Sequence, residues 1–205
     1  MIRLFKSRVY ISPFAVALAA VISLSVDALF FFSAIPGALI HEFSHTAVMK
    51  MYGAEIISVS IYPFGVDIKS DTSGLSATQE IAVYLAGPLA SLLTGLSALM
   101  VYGYAGGIYV LFFALSNLVF FVVNILPVKG LDGARALYVL LFSKYEYIQA
   151  QRIYEAVTAV FFGMLCIMAM FLVCFSGYNL SLVFICIYLF ISEYTRQRLC
   201  HNRFV

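Results

Sequence analysis

A chain of 205 residues, 63% hydrophobic and only 11% charged, is too apolar for a soluble globular domain and reads as a polytopic membrane protein. Its formal net charge of +2 gives no reason to expect nucleic acid as a partner, so the placement of the 12 Lys and Arg carries the information instead. Four cysteines, Cys166, Cys174, Cys186 and Cys200, make no C-x-x-C pair and read as apolar fillers or free thiols.

Six segments are long enough to cross a hydrocarbon layer of about 30 Å, which needs roughly 20 residues each. They fall near 10–29, 31–51, 79–102, 107–127, 154–175 and 178–195. The first follows Arg3, Lys6 and Arg8, as a signal peptide would. No small-residue cleavage site follows clearly, so it is expected to stay as a span. The turns around Asp27, Gly103 to Gly107 and Ser176 to Asn179 hold no Lys or Arg, whereas Lys50, Lys69, Lys129, Lys144 and Arg198 fall on the other side. The positive-inside rule then puts both termini in the cytoplasm.

The second segment contains Ile40-His41-Glu42-Phe43-Ser44-His45, three ionisable groups inside an apolar run. Such groups at membrane depth are rare and usually functional. On a helix, His41 and His45 stand four residues apart on one face, where two imidazoles can converge on a metal ion. Glu42 lies beside them. This is the H-E-x-x-H pattern, in which two histidines hold Zn²⁺ and the glutamate takes a proton from bound water. The plainer alternative is that the three side chains satisfy one another within a bundle. The third histidine, His201, sits in a basic tail and reads as a surface residue.

Between the second and third segments the hydrophobic period changes from helical to alternating. Ile57, Val59 and Ile61 point one way and Ser58 and Ser60 the other. Tyr62-Pro63-Phe64-Gly65 supplies a turn and Val66 to Lys69 alternates again, so residues 54–69 are expected to form a β-hairpin on the cytoplasmic face. It is either a connector or an edge along which an unwound substrate adds as a strand, with Ser58 and Ser60 as candidate substrate-binding positions.

Two histidines leave zinc short of a third protein ligand, expected to be a carboxylate or histidine at similar depth. Asn124-Ile125-Leu126-Pro127-Val128-Lys129-Gly130-Leu131-Asp132-Gly133 closes the fourth segment and offers Asp132. Taken alone, Leu-Asp-Gly reads as a solvated turn.

His41-Glu42-Phe43-Ser44-His45, together with Asn124, Pro127 and Leu131-Asp132-Gly133, resembles the two motifs of the site-2 protease family of intramembrane zinc metallopeptidases. Ala86-Gly87-Pro88 in the third segment resembles a further family feature. Ile125 and Ala134 depart from the family pattern, which commonly has proline and glycine there, and Ser91 is the nearby polar residue after the Gly-Pro step. The resemblance spans about Pro36 to Leu137 and implies zinc held by His41, His45 and Asp132, with Glu42 as the base. Asn124 would hold substrate or stabilise charge near the metal, or else cap a broken helix. The compact form looks most like the sporulation branch, whose members act on membrane-associated pro-sigma factors.

The expectation is thus an all-α polytopic membrane protein with six transmembrane helices and a small cytoplasmic β-hairpin between the second and third. It forms a single membrane domain over 1–205, with a catalytic core at about 36–137 and accessory helices at 154–195. The expected activity is zinc-dependent cleavage of a membrane-embedded or membrane-tethered protein in a bacterial cell membrane, with inhibitory membrane proteins as further partners. A metal-ion transporter and an inactive membrane scaffold are the alternatives. Glu42 argues against the scaffold, which needs no base. Ser44, Thr46 and Asn117 mark either a water path or ordinary interhelical packing.

Overall fold

The computed structural model describes residues 2–4, 7–11, 28–62, 65–71, 74–176 and 186–187. They form four strands and five helices in two compact units, residues 1–123 and 124–205.

In the first unit, β1 (Ile2–Leu4), β2 (Ser7–Ile11), β3 (Glu55–Tyr62) and β4 (Gly65–Asp71) form a sheet in the order β1-β2-β3-β4. β3 and β4 pair antiparallel, with Ser60 opposite Asp67 and a register irregularity between Ile56 and Ser58. β2 joins β3 in parallel, Arg8 opposite Ser58 and Tyr10 opposite Ser60. Two expectations change here. The hairpin is half of a larger sheet, and Tyr10 and Ile11 belong to a strand rather than to the start of a first span. β3 gains ladder hydrogen bonds on both sides from that pairing, which outweighs the apolar character of Val9, Tyr10 and Ile11 as a span opening. The remainder of the expected first span, residues 12–27, lies outside the described residues.

α1 (Ala28–Met51) carries the histidines. Its sides are inverted relative to a soluble helix: Ser33, Gly37, His41, His45 and Met49 recur every fourth residue and are buried, while Leu39 is 65% and Phe43 72% exposed. Small and polar groups facing inward with large apolar groups outward is the arrangement for a helix surrounded by lipid. The helix ends where Gly53 adopts φ +77°. Its N–H reaches the Lys50 carbonyl at 3.0 Å and the Ala54 N–H reaches that of Met49 at 3.0 Å, a Schellman-type close.

α2 (Ala77–Ala105) begins with a capping box, in which the Ser76 hydroxyl accepts from the Gln79 N–H and the Gln79 side chain accepts from the Ser76 N–H at 2.9 Å. It ends at Gly106, φ 69°. Val83, Gly87, Ser91 and Gly95 are buried at every fourth position, a stripe of mostly small residues that lets neighbouring helices come close. α3 (Ile108–Ile125) buries Ala114, Ser116 and Asn117. Asn117 sits against Gly37, where a Cβ would come 2.7 Å from its amide nitrogen. It donates to the Phe113 carbonyl at 2.8 Å and accepts from the Thr94 hydroxyl at 3.1 Å.

The second unit is helical, with α4 (Asp132–Lys144) and α5 (Tyr147–Ser176). α4 is not among the expected helices: residues 132–144 mix apolar and charged positions and end in Lys144, and they form an amphipathic helix opened by Asp132, in a stretch that taken alone reads as a turn. α5 also starts seven residues earlier than the apolar run at 154. Gly130, φ 99°, and Pro127 break the chain between α3 and α4. Gly133 then packs so tightly on the end of α3 that a Cβ would meet the Ile125 carbonyl oxygen at 2.2 Å. Val128, Leu165, Ala169 and Cys186 form the buried core of this unit. Tyr138 stacks on Phe142 at 4.1 Å and meets Tyr154 edge-on at 5.4 Å. Cys166, Cys174 and Cys186 are free thiols.

By length and composition α2, α3 and residues Tyr147–Phe175 of α5 can each cross a membrane, consistent with a membrane protein. α1 is long enough as well, but His41, Glu42 and His45 dilute its hydrophobicity. The expected sixth span, 178–195, lies outside the described residues apart from 186–187.

Candidate metal centre

One turn of α1 separates His41 from His45, and both imidazoles are buried, at 5% and 6% exposure. Their rings meet edge-on with centroids 4.9 Å apart, and the two Nε2 atoms approach to 3.2 Å. Bonds of about 2.0–2.1 Å opened at the tetrahedral angle would set two zinc-bound nitrogens roughly 3.3–3.4 Å apart. The pair is therefore spaced as two ligands of one ion would be. His41 and His45 are two of the three expected ligands; Asp132, the third, opens α4 in the second unit. Two imidazoles and one carboxylate fit zinc and leave a fourth position for water.

α2 fixes how the imidazoles point. His45 Nδ1 lies 2.7 Å from the Val83 carbonyl oxygen. That oxygen can only accept, so Nδ1 donates to it and Nε2 is the ring nitrogen turned toward His41. His41 Nδ1 lies 3.0 Å from the hydroxyl of Ser91, which is fully buried. Between them Gly87 forms the floor: a Cβ there would lie 2.2 Å from His45 Nε2 and 2.8 Å from His41 Nε2. Phe120 of α3 packs on another side of His41, ring centroids 6.5 Å apart.

Other expected positions fall as follows. Glu42, next to His41, is half-buried. Asn124 is the penultimate residue of α3. Ser58 and Ser60 lie in β3, which is paired on both sides, so their strand has no open edge; among the described strands the outer ones are β1 and β4. Ser44 and Thr46 donate to the carbonyls of Ile40 and Phe43 in their own helix, both at 2.7 Å, and Asn117 is held by Thr94 and Phe113. These are packing bonds, and the water path they were considered for is not needed to account for them.

Val83 is the contributor that the motifs did not reveal, and Gly87 and Ser91, noted only by resemblance, prove to contact the imidazoles. Their i, i+4, i+8 spacing from small or β-branched residues around Gly87-Pro88 was a visible signal, without an indication of which helix it faced.

The chain superposes on the site-2 protease from Methanocaldococcus jannaschii with a TM-score of 0.69, covering 93% of this chain and 91% of that one at 22% identity. The chain has the site-2 protease fold. In sequence it is similar to a zinc metalloprotease of Methanocaldococcus jannaschii, 31% identical over 121 residues and 56% of this chain. It is also similar to the stage IV sporulation protein FB of Bacillus subtilis, 28% identical over 176 residues and 82% of this chain. It spans 35% of the length of the first relative and 59% of the second. No protein-family model matches it. The resemblance read from the two motifs holds, and one relative is a sporulation protein, the branch to which the compact form pointed.

Proposed function

We propose that this site-2 protease fold is an intramembrane zinc metalloprotease that hydrolyses a peptide bond of a membrane-embedded or membrane-tethered protein, as in regulated intramembrane proteolysis. The observation that carries the reading is the pair of buried imidazoles, Nε2 atoms 3.2 Å apart, on a helix packed against a second helix of membrane-spanning length, with Asp132 as the expected third ligand. The two imidazoles stand one turn apart, whereas a transporter needs ligands at several depths along a path.

His41, His45 and Asp132 would hold the ion. Zinc supplies two things when bound: it lowers the pKa of water to about 7 and polarises a carbonyl oxygen. Glu42, one residue from His41, would serve as the base that accepts a proton from water at the site and as the acid that delivers it to the leaving amine. Asn124, at the end of α3, is positioned by sequence to meet the substrate. A helical substrate must be unwound before its carbonyl is reachable, because its amides are bonded internally. The outer edge of β4 offers main-chain partners to such an extended segment, a role that β3 with Ser58 and Ser60 supports from within the sheet. Six spans in a single membrane domain are the reading of the hydrophobic segments, and both termini in the cytoplasm, of a bacterial cell in this reading, that of the Lys and Arg distribution. The similarity to the sporulation protein supports a pro-sigma factor or similar tethered regulator as substrate, with membrane proteins as inhibitors.

Reconstitution in liposomes with tethered candidate substrates tests the reading. Cleavage should stop on zinc chelation and resume on adding zinc; cleavage indifferent to the chelator would refute it.

A further inference from the structure

Cys166 and Cys186 stand well apart in the chain, yet their thiols are hydrogen-bonded to one another. Cys166 lies on α5 and Cys186 beyond its end, so the contact joins two separate stretches of the second unit. Cys186 is 8% exposed and belongs to the buried core of this unit with Val128, Leu165 and Ala169, and Cys166 packs half-buried against that core. Leu126 and Leu131 pack on it too, so the stretch that leads into Asp132 rests on the core that holds the two sulfurs. Neither cysteine has a part in the hydrolysis proposed above.

Lipid rather than water borders the pair. Cys166 falls within the part of α5 that can cross a membrane, and its neighbour Ile167 is 71% exposed. The cost of desolvation keeps a charged, water-borne oxidant such as glutathione disulfide from that depth, whereas an apolar oxidant dissolved in the bilayer meets no such cost. A cysteine buried alone among apolar side chains stays inert. Here a second thiol already touches the first, which is the arrangement that closes a disulfide.

We infer that Cys166 and Cys186 form a redox site, oxidised by a membrane-soluble quinone to a disulfide that ties α5 to the chain at residue 186. The half-buried Cys166 sulfur adds to a ring carbon of the quinone, and its hydrogen passes to one quinone oxygen. The Cys186 sulfur then attacks that of Cys166. The S–S bond forms, the S–C bond breaks with its electron pair returning to the ring, and the Cys186 hydrogen passes to the second oxygen. The quinone leaves as hydroquinone, having gained two electrons and two protons, one of each from either cysteine. The site is independent of the zinc reading and is tested apart from it.

The test uses the full chain in liposomes, reduced and then exposed to a short-chain ubiquinone analogue. Peptide mapping by mass spectrometry should find Cys166 joined to Cys186, two hydrogens lighter than the reduced pair, with hydroquinone formed in equal amount. Glutathione disulfide added to the water at the same concentration should leave the pair reduced. Cys166→Ala and Cys186→Ala should each form neither the disulfide nor hydroquinone. Cys174→Ser is the control: it removes the exposed thiol further along α5, and the yield should be that of the wild type. A wild-type pair left reduced by the quinone, a bond formed equally well by glutathione disulfide, or Cys174 linked as readily as Cys166 would overturn the inference.

Discussion

Gly87→Ala is the most severe small perturbation available to the metal centre. The added methyl would stand 2.2 Å from His45 Nε2, 2.7 Å from His45 Cε1 and 2.8 Å from His41 Nε2, where ordinary contact begins at 3.4 Å. Alanine at a helix interior gains about 0.5–1 kcal/mol over glycine, while forcing a methyl into a filled core costs about 1–3 kcal/mol. The clash therefore decides the sign. The strain cannot be relieved at a flexible end, because His45 is tied to the Val83 carbonyl at 2.7 Å. Either the ring moves by more than an ångström or α1 and α2 separate. Zinc tolerates ligand distances within about 0.2 Å of ideal, so both histidines cannot remain bound. Zinc affinity should fall at least ~100-fold, about 2.7 kcal/mol, and proteolysis with it. Equilibrium dialysis followed by elemental analysis measures the first directly. A Gly87→Ala protein with wild-type zinc content and affinity would show that the imidazoles do not rest on Gly87 and would refute the geometry of the centre.

Glu42→Gln should abolish cleavage yet keep bound zinc, since it removes a proton acceptor and leaves the expected ligands intact; measurable cleavage by that variant would remove Glu42 from its role. Asp132→Ala should instead lose zinc and activity together, checked by metal analysis of the purified protein. Gly133→Ala should destabilise by at least 1–3 kcal/mol, roughly the cost of overpacking, because its Cβ would meet the backbone of Ile125 rather than a movable side chain; thermal unfolding in detergent reads this. Gly163→Ala in α5 is the counterpart, with nothing within 4 Å, and should stabilise by about 0.5–1 kcal/mol.

What was legible in the sequence was whatever is local along one helix. His41 and His45 share a face because of their spacing, whatever packs against them, and the change of period at Ile57 to Ile61 announces strand before any partner is known. Gly87 and Ser91 stood out in the sequence only by resemblance, and what they touch was not legible because it depends on how α1 and α2 cross. A serine and a glycine on an apolar helix look the same whether they face lipid, another helix or an imidazole. The strands at Ile2–Leu4 and Ser7–Ile11 were missed for a related reason. They are short and lie beside basic residues and an apolar run, and β2 finds its partner fifty positions away, Arg8 against Ser58. α4 was obscured by Pro127, Gly130 and Gly133, which signal a turn correctly but gave no sign that a helix resumes at Asp132.

The parallel pairing of β2 with β3 gives residues 7–11 a protective task. Antiparallel neighbours can be joined by a tight turn, but here the chain must leave one end of β2 and re-enter at the opposite end of β3, and α1 lies within that excursion. The N-terminal strands thus act as a cover fastened from outside over one flank of β3. Trimming residues 1–11 would bare a row of main-chain donors and acceptors on the eight-residue β3, a longer edge than the three-residue β1 that now ends the sheet. A truncated protein would then exchange the three-residue edge of β1 for the longer edge of β3, and with it gain a tendency to self-associate along that strand.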